Sequence, residues 1–143
     1  MKKKHLLVVA AALFMFSAYA QKVKNADVPA TVKSALEKKY PDAKNVYWEK
    51  EHGNYEANWG GISHEDNSVQ FSPSGEFIEY VKAIPVNSLP KPVGEYVKAH
   101  YKGAKITEAG HVTDAKGKTF FEAEVKGKDI VFDENGKFVK AED

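Results

Sequence analysis

Val28, Val32, Ala35, Leu36 and Tyr40 recur every three or four positions, and Val93, Tyr96, Val97, His100 and Tyr101 keep the same spacing further along the chain. Each series traces one stripe of an amphipathic helix. Asp27 and Ser88 stand before the stripes as N-cap candidates, and Pro29 and Pro90 fall in the first turn, where a missing N–H costs nothing. Pro41 ends the first helix and Gly103 the second. The period then changes to two. Tyr55, Ala57 and Trp59 alternate with polar residues, as do Phe121, Ala123 and Val125. Ser72-Pro73-Ser74-Gly75 and Asp133-Glu134-Asn135-Gly136 carry turn chemistry between later apolar runs. The pattern predicts strands over 44–51, 54–60, 67–72 and 76–82, then 105–113, 118–126, 128–133 and 136–141, with 83–87 as linker.

These elements repeat. A shift of 61 residues aligns Asp27-Val28-Pro29 with Ser88-Leu89-Pro90, Tyr40 with Tyr101, and Phe71, Gly75 and Phe77 with Phe132, Gly136 and Phe138. In the middle, Tyr55-Glu56-Ala57 matches Phe121-Glu122-Ala123 at a shift of 66, so each half carries five extra residues in a different loop. Insertions that cancel in loops are the mark of a duplicated structural unit. The fold class is therefore α+β: two tandem helix-plus-four-strand units, 27–83 and 88–143, with an antiparallel sheet and the helices on one face. A unit of about 60 residues is marginal alone, so the halves should share one sheet or pack tightly.

The amino terminus reads differently. Lys2, Lys3 and Lys4 precede an apolar run from Leu6 to Phe16, and Ala18-Tyr19-Ala20 puts small residues at the −3 and −1 positions of a cleavage site. This order describes a signal peptide over 1–20, with export to the periplasm or medium and a mature chain 21–143 beginning at Gln21. The apolar run falls short of the roughly 20 residues that span a bilayer. The chain has no cysteine, which excludes disulfides, thiolate catalysis and lipid attachment at a cysteine. Loss of Lys2–Lys4 leaves 18 Lys against 20 acidic residues, a net charge of −2. No basic face survives, so nucleic acid is not expected as a partner.

The proline-led helix ending in Tyr-Pro-Asp-Ala (40–43), then Tyr-Glu-Ala (55–57), then the Phe-x-x-x-Gly-x-Phe of 71–77 resemble the PepSY-like family, whose tandem form is grouped with beta-lactamase-inhibitor-like folds. The resemblance covers nearly the whole mature chain. It implies exported bacterial proteins, typically periplasmic, without established catalytic residues, and a binding or inhibitory role by analogy of fold. This chain departs from the inhibitor in lacking cysteines.

Candidate chemistry is sparse. No Gly-x-Ser-x-Gly, phosphate loop or His-Glu-x-x-His occurs, and an enzyme is not expected. No cofactor is expected either. Glu56 and Glu122 recur at equivalent places and read as solvent-side strand residues rather than a catalytic pair. His64-Glu65-Asp66 with His52 suggests a divalent metal, but a polar loop explains it equally and no ligand set is assigned. Asp133-x-Asn135-Gly136 begins like a calcium loop without the acid at position 12, and its counterpart Ser72–Gly75 argues for a hairpin turn.

One feature exceeds what a core requires. Neighbouring strand residues point to opposite faces, so Tyr47 and Trp48 cannot both face the helices, nor can Phe120 and Phe121. If Phe121, Ala123, Val125 and Phe77 face the helices, then Phe120, Glu122, Glu124, Ile78 and Tyr80, with either Tyr47 or Trp48, face away. Aromatics mixed with acids are a common recognition composition. The reading is an exported non-enzymatic binding module that engages an envelope or secreted protein through this open face, an inhibitor or modulator being the sharpest version. A homodimer contact, or a periplasmic small-ligand or metal-binding protein, is the alternative.

Overall fold

The computed structural model describes residues 20–142, so the signal peptide assigned to 1–20 lies outside the described residues except for Ala20. The chain runs β1 (Gln21–Val23), α1 (Ala30–Lys39), β2 (Tyr47–Glu51), β3 (Asn54–Trp59), β4 (Asn67–Phe71), β5 (Phe77–Ile84), α2 (Lys91–His100), β6 (Ile106–Asp114), β7 (Thr119–Val125), β8 (Lys128–Asp133) and β9 (Phe138–Glu142). It is an α+β fold: one antiparallel sheet in the order β1 to β9, with two helices.

Asp27 and Ser88 do not cap the helices. Each closes a short 3-10 turn, Asn25–Asp27 or Val86–Ser88, and Pro29 and Pro90 occupy the N-cap positions in extended conformation. Proline at that place loses no helical hydrogen bond, and its fixed φ of −54° directs the chain into the first turn. Lys38 and Lys39 end α1, and Lys98 and His100 end α2, opposing the negative end of each helix dipole. The expected linker is also shorter than 83–87. β5 extends to Ile84, which pairs with Ala109 of β6, so the sheet is continuous from one half of the chain to the other.

The helix-side core has two centres. Val28, Val32 and Leu36 pack with Trp48, Tyr55, Ala57, Val69 and Phe71, whereas Val93 and Val97 pack with Ala123, Val125, Ile130 and Phe132. Two turns lean on the helix starts. Gly75 has φ +86°, and a Cβ there would lie 2.7 Å from the Thr31 carbonyl oxygen, while Thr31 Oγ1 donates to the Pro73 carbonyl. A Cβ on Gly136 would lie 3.1 Å from Pro90 Cβ.

Strand alternation holds except at bulges. Pairing shifts between Gln70 and Phe71 where β4 meets β5, between Ile106 and Glu108 where β6 meets β7, and between Val131 and Phe132 where β8 meets β9. Each bulge adds one residue to one strand of the pair, Ile78 on β5, Thr107 on β6 and Val139 on β9, and moves everything beyond it to the other face.

Candidate functional site

The helices cover one face of the sheet, and the other face collects polar residues. Register places Tyr47, Glu49 and Glu51 of β2 beside Asn58, Glu56 and Asn54 of β3, and Glu56 and Asn58 beside Gln70 and Ser68 of β4. The face continues through Glu79 and Val81 to Asp114 and Val112, then to Phe120, Glu122 and Glu124 on β7.

Much of this polar face is buried. Glu51, Glu56, Asn58, Ser68, Gln70, Glu79, Glu122 and Asp129 are all nine-tenths or more inaccessible. Ser68 Oγ donates to Asn58 Oδ1 and lies 3.4 Å from Glu56 Oε1. Burial pushes the Glu56 carboxyl up to about 8, the charges of Glu49 and Glu51 add to the rise, and the neighbouring polar side chains of Asn58 and Ser68 oppose it. Asn58 Nδ2 and Gln70 Oε1 are buried without a hydrogen-bond partner.

Beside this array lies a cavity of about 340 Å³. Ser68, Val81, Ala83 and Gly110 are among its sheet residues, Ser63, Glu65 and Asp66 of the β3–β4 loop border it, and Pro85 and Val86 lie on another side. Glu108, Glu122, Glu124 and Asp129 complete an acidic lining. Gly110 makes room here, since a Cβ would meet Val81 Cγ1 at 2.8 Å. Tyr47 donates its hydroxyl to Glu65 Oε1 at 3.1 Å, and Thr107 Oγ1 donates to Glu124 Oε1 at 2.8 Å. Burial, then Glu124 and Glu65, raise the Glu108 carboxyl above its ordinary range; burial, then Glu65, raise that of Glu49 against the pull of Lys22. The arrangement sets carboxylates and the hydroxyl residues Ser63, Ser68 and Thr107 around a hollow.

The structure divides the six expected open-face residues. Tyr47, Phe120 and Glu122 lie on the face away from the helices; Tyr47 and Phe120 are partly exposed, and Glu122 is buried at the cavity wall. Trp48 is a core residue, 3% exposed, paired with Ala57 under α1. Tyr80 also belongs to the helix side. It pairs with Val69, packs on the α1 core, stacks on Tyr40 with centroids 5.2 Å apart, and donates its hydroxyl to Asn67 Oδ1 at 2.6 Å. Ile78 sits in the bulge between the residues paired with Gln70 and Phe71. The alternation carried forward from Phe77 fails for Tyr80 because that bulge lies between them. Glu56 and Glu122 do lie on the helix-free face, but buried rather than solvated.

The polar loops have local explanations. Among the described residues no group of three or more His, Cys, Asp and Glu is arranged to hold a metal ion. His64 is exposed with φ +61°, and His52 Nδ1 lies 3.9 Å from Glu51 Oε1. Asp133 Oδ1 accepts from the backbone N–H of Asn135 and Lys137, closing the β8–β9 turn. His100 stacks on Tyr96, with Nδ1 2.9 Å from the Tyr96 carbonyl oxygen. Glu65 stands in the sequence only as part of the His64-Glu65-Asp66 cluster, and Glu108 and Gly110 carry no local signal, since the cavity that joins β6 to the β3–β4 loop is a non-local feature. Glu124 was visible as the third member of the Phe120, Glu122, Glu124 alternation.

The chain matches the PepSY-like family, described as "putative beta-lactamase-inhibitor-like, PepSY-like", over residues 14–60 and 59–140, and it belongs to that family. No curated protein matches it. Solved structures share its fold. A protein of Bacteroides eggerthii, provisionally described as periplasmic, is 20% identical with a TM-score of 0.66, covering 80% of this chain and 88% of its own. A DUF2874 family protein of Bacteroides uniformis is 24% identical with a TM-score of 0.65, covering 79% and 87%. A BLIP-like protein of Bacteroides fragilis is 23% identical with a TM-score of 0.61, covering 80% and 86%.

Proposed function

We propose that this member of the PepSY-like family is an exported, non-enzymatic binding protein that engages another envelope or secreted protein through the helix-free face of its sheet, as an inhibitor or modulator of that partner. The observation that carries this reading is the acidic cavity on that face, with the partly exposed aromatics Tyr47 and Phe120 on the same side. Aromatic residues beside desolvated pockets are where binding energy concentrates. The periplasmic description of a fold neighbour supports export, as does the leader pattern of Lys2–Lys4 and Leu6–Phe16 with cleavage after Ala20. Among the described residues no helix is long and apolar enough to cross a membrane.

The same reading takes the chain as two helix-plus-four-strand units, 27–83 and 88–143. Equal ten-residue helices, N-cap prolines with the same φ and ψ, and bulges at Gln70/Phe71 and Val131/Phe132 support it. A small-ligand carrier is the second reading, favoured by a hollow of about 340 Å³, within the range of ligand sites.

The test is affinity capture from envelope extract with four immobilised proteins: the mature chain, Tyr47→Ala, Phe120→Ala and the helix-surface control Lys38→Ala. The reading expects one partner retained by the mature chain and the control and depleted with both face variants. Equal retention by all four removes the face from the account, and recovery of the chain itself assigns it to a homodimer.

A further inference from the structure

The β3–β4 loop and the cavity it borders restrict what can dock. Ile62, fully exposed, follows Gly60 and Gly61 and precedes Ser63 of the cavity lining. Gly60 and Gly61 both have positive φ, and a Cβ on Gly61 would overlap the Asp66 carboxylate, so the loop is a fixed bend that holds an apolar side chain out beside the hollow. Inside, Val81, Ala83, Ile84, Pro85 and Val86 give an apolar wall, while carboxylates dominate the polar lining. Among the described residues that line it, none is basic. Lys140, which pairs with Val131 on the same face, lies outside the lining and has interactions of its own, as do Glu122 and Asp129. Of the other acidic lining residues besides Asp66, Glu65 and Glu124 both repel Glu108.

We infer that this cavity takes a lysine side chain from the partner protein, the ammonium group meeting Glu65, Glu108 and Glu124 and the methylenes lying along Val81 and Ile84, with Ile62 packing on an apolar neighbour of that lysine. The inference rests on the binding reading above and specifies the chemistry of its partner. Charge complementarity argues for it, since a cation relieves the repulsion among carboxylates that the fold holds together. The apolar wall favours a long aliphatic stem over a bare ion, because lysine buries its methylenes while its charged end stays among polar groups. Gly110 leaves the depth such a stem needs.

The probes are two blocked peptides, acetyl-Ala-Leu-Lys-Leu-Ala-amide and its norleucine counterpart, followed by amide chemical-shift titration of the mature protein. The lysine peptide should shift resonances of 62–66, 107–110 and 122–124 saturably, and the norleucine peptide should bind roughly tenfold more weakly or not at all. A Glu108→Gln/Glu124→Gln variant keeps the Thr107 hydrogen bond and should weaken the lysine peptide by a similar factor. Ile62→Ser, at a fully exposed position, should weaken both peptides without disturbing the fold. Equal binding of the two peptides overturns the inference. So does saturation of the same residues by calcium chloride without a response to the lysine peptide. If Phe120→Ala abolishes partner capture while the glutamine variant captures normally, the face stands and the lysine assignment falls. If the lysine peptide binds as described while capture ignores Tyr47 and Phe120, the cavity stands and the wider face falls.

Discussion

Phe77 and Tyr80, three residues apart on β5, lie on the same face of the sheet, and both pack against the α1 core. Regular alternation would put them on opposite faces. Their partners explain the geometry: Phe77 pairs with Phe71 and Tyr80 with Val69, so three steps on one strand match two on the other. The bulge places a third aromatic ring against Tyr40 and Trp59, which lie 5.4 Å apart by centroid.

Tyr80→Ala should therefore behave as a core deletion. It removes the stack on Tyr40 and the hydrogen bond to Asn67, and a loss of about 3 kcal/mol in urea unfolding is expected. Phe120→Ala, on the other face and partly exposed, should cost about 1 kcal/mol or less. A reversed order of the two losses would contradict the register.

The bulge also marks the limit of what the sequence discloses. Helix stripes, the turn chemistry of Ser72–Gly75 and Asp133–Gly136, and the face of Phe121, Ala123 and Val125 are periodic, local signals, and the structure matches them. A bulge is one extra residue with no composition of its own, so simple alternation from Phe77 puts Tyr80 on the wrong face and leaves Ile78 in the bulge itself. Tyr47 and Trp48 could be separated only by register, which sets Trp48 opposite Ala57. The cavity was least legible, because it joins a loop after β3 to residues of β5 through β8.

Gly75 gives a prediction about the helix–turn contact. An alanine there must adopt φ +86° and bring its Cβ against the Thr31 backbone oxygen, which has no room to yield without moving α1. Gly75→Ala should cost about 2 kcal/mol or more. Gly136→Ala meets only the ring carbons of Pro90 and Pro92 at 3.1 and 3.2 Å and should cost less. Thermal unfolding of the two variants side by side decides the order.

Glu56 makes stability depend on pH with a definite sign. Its carboxyl is raised from the usual 4.5 to about 8, so between these values the folded protein binds more protons than the unfolded chain. The contribution is fully present below about pH 4.5 and is lost as pH rises through about 8, each unit of displacement being worth about 1.4 kcal/mol. Glu56→Gln, neutral at every pH, should unfold with a markedly flatter dependence over that window. Urea midpoints at pH 5, 6.5 and 8 check it, and a slope unchanged by the substitution would contradict the assignment.

The central claim is that the helix-free face is the surface that meets a partner. A photo-reactive amino acid placed singly at position 120, at position 47 and at exposed position 38 of α1 tests it in cells exporting the protein. An adduct of one common mass is expected from positions 120 and 47 and none from position 38. An adduct from position 38 with none from the other two would contradict it.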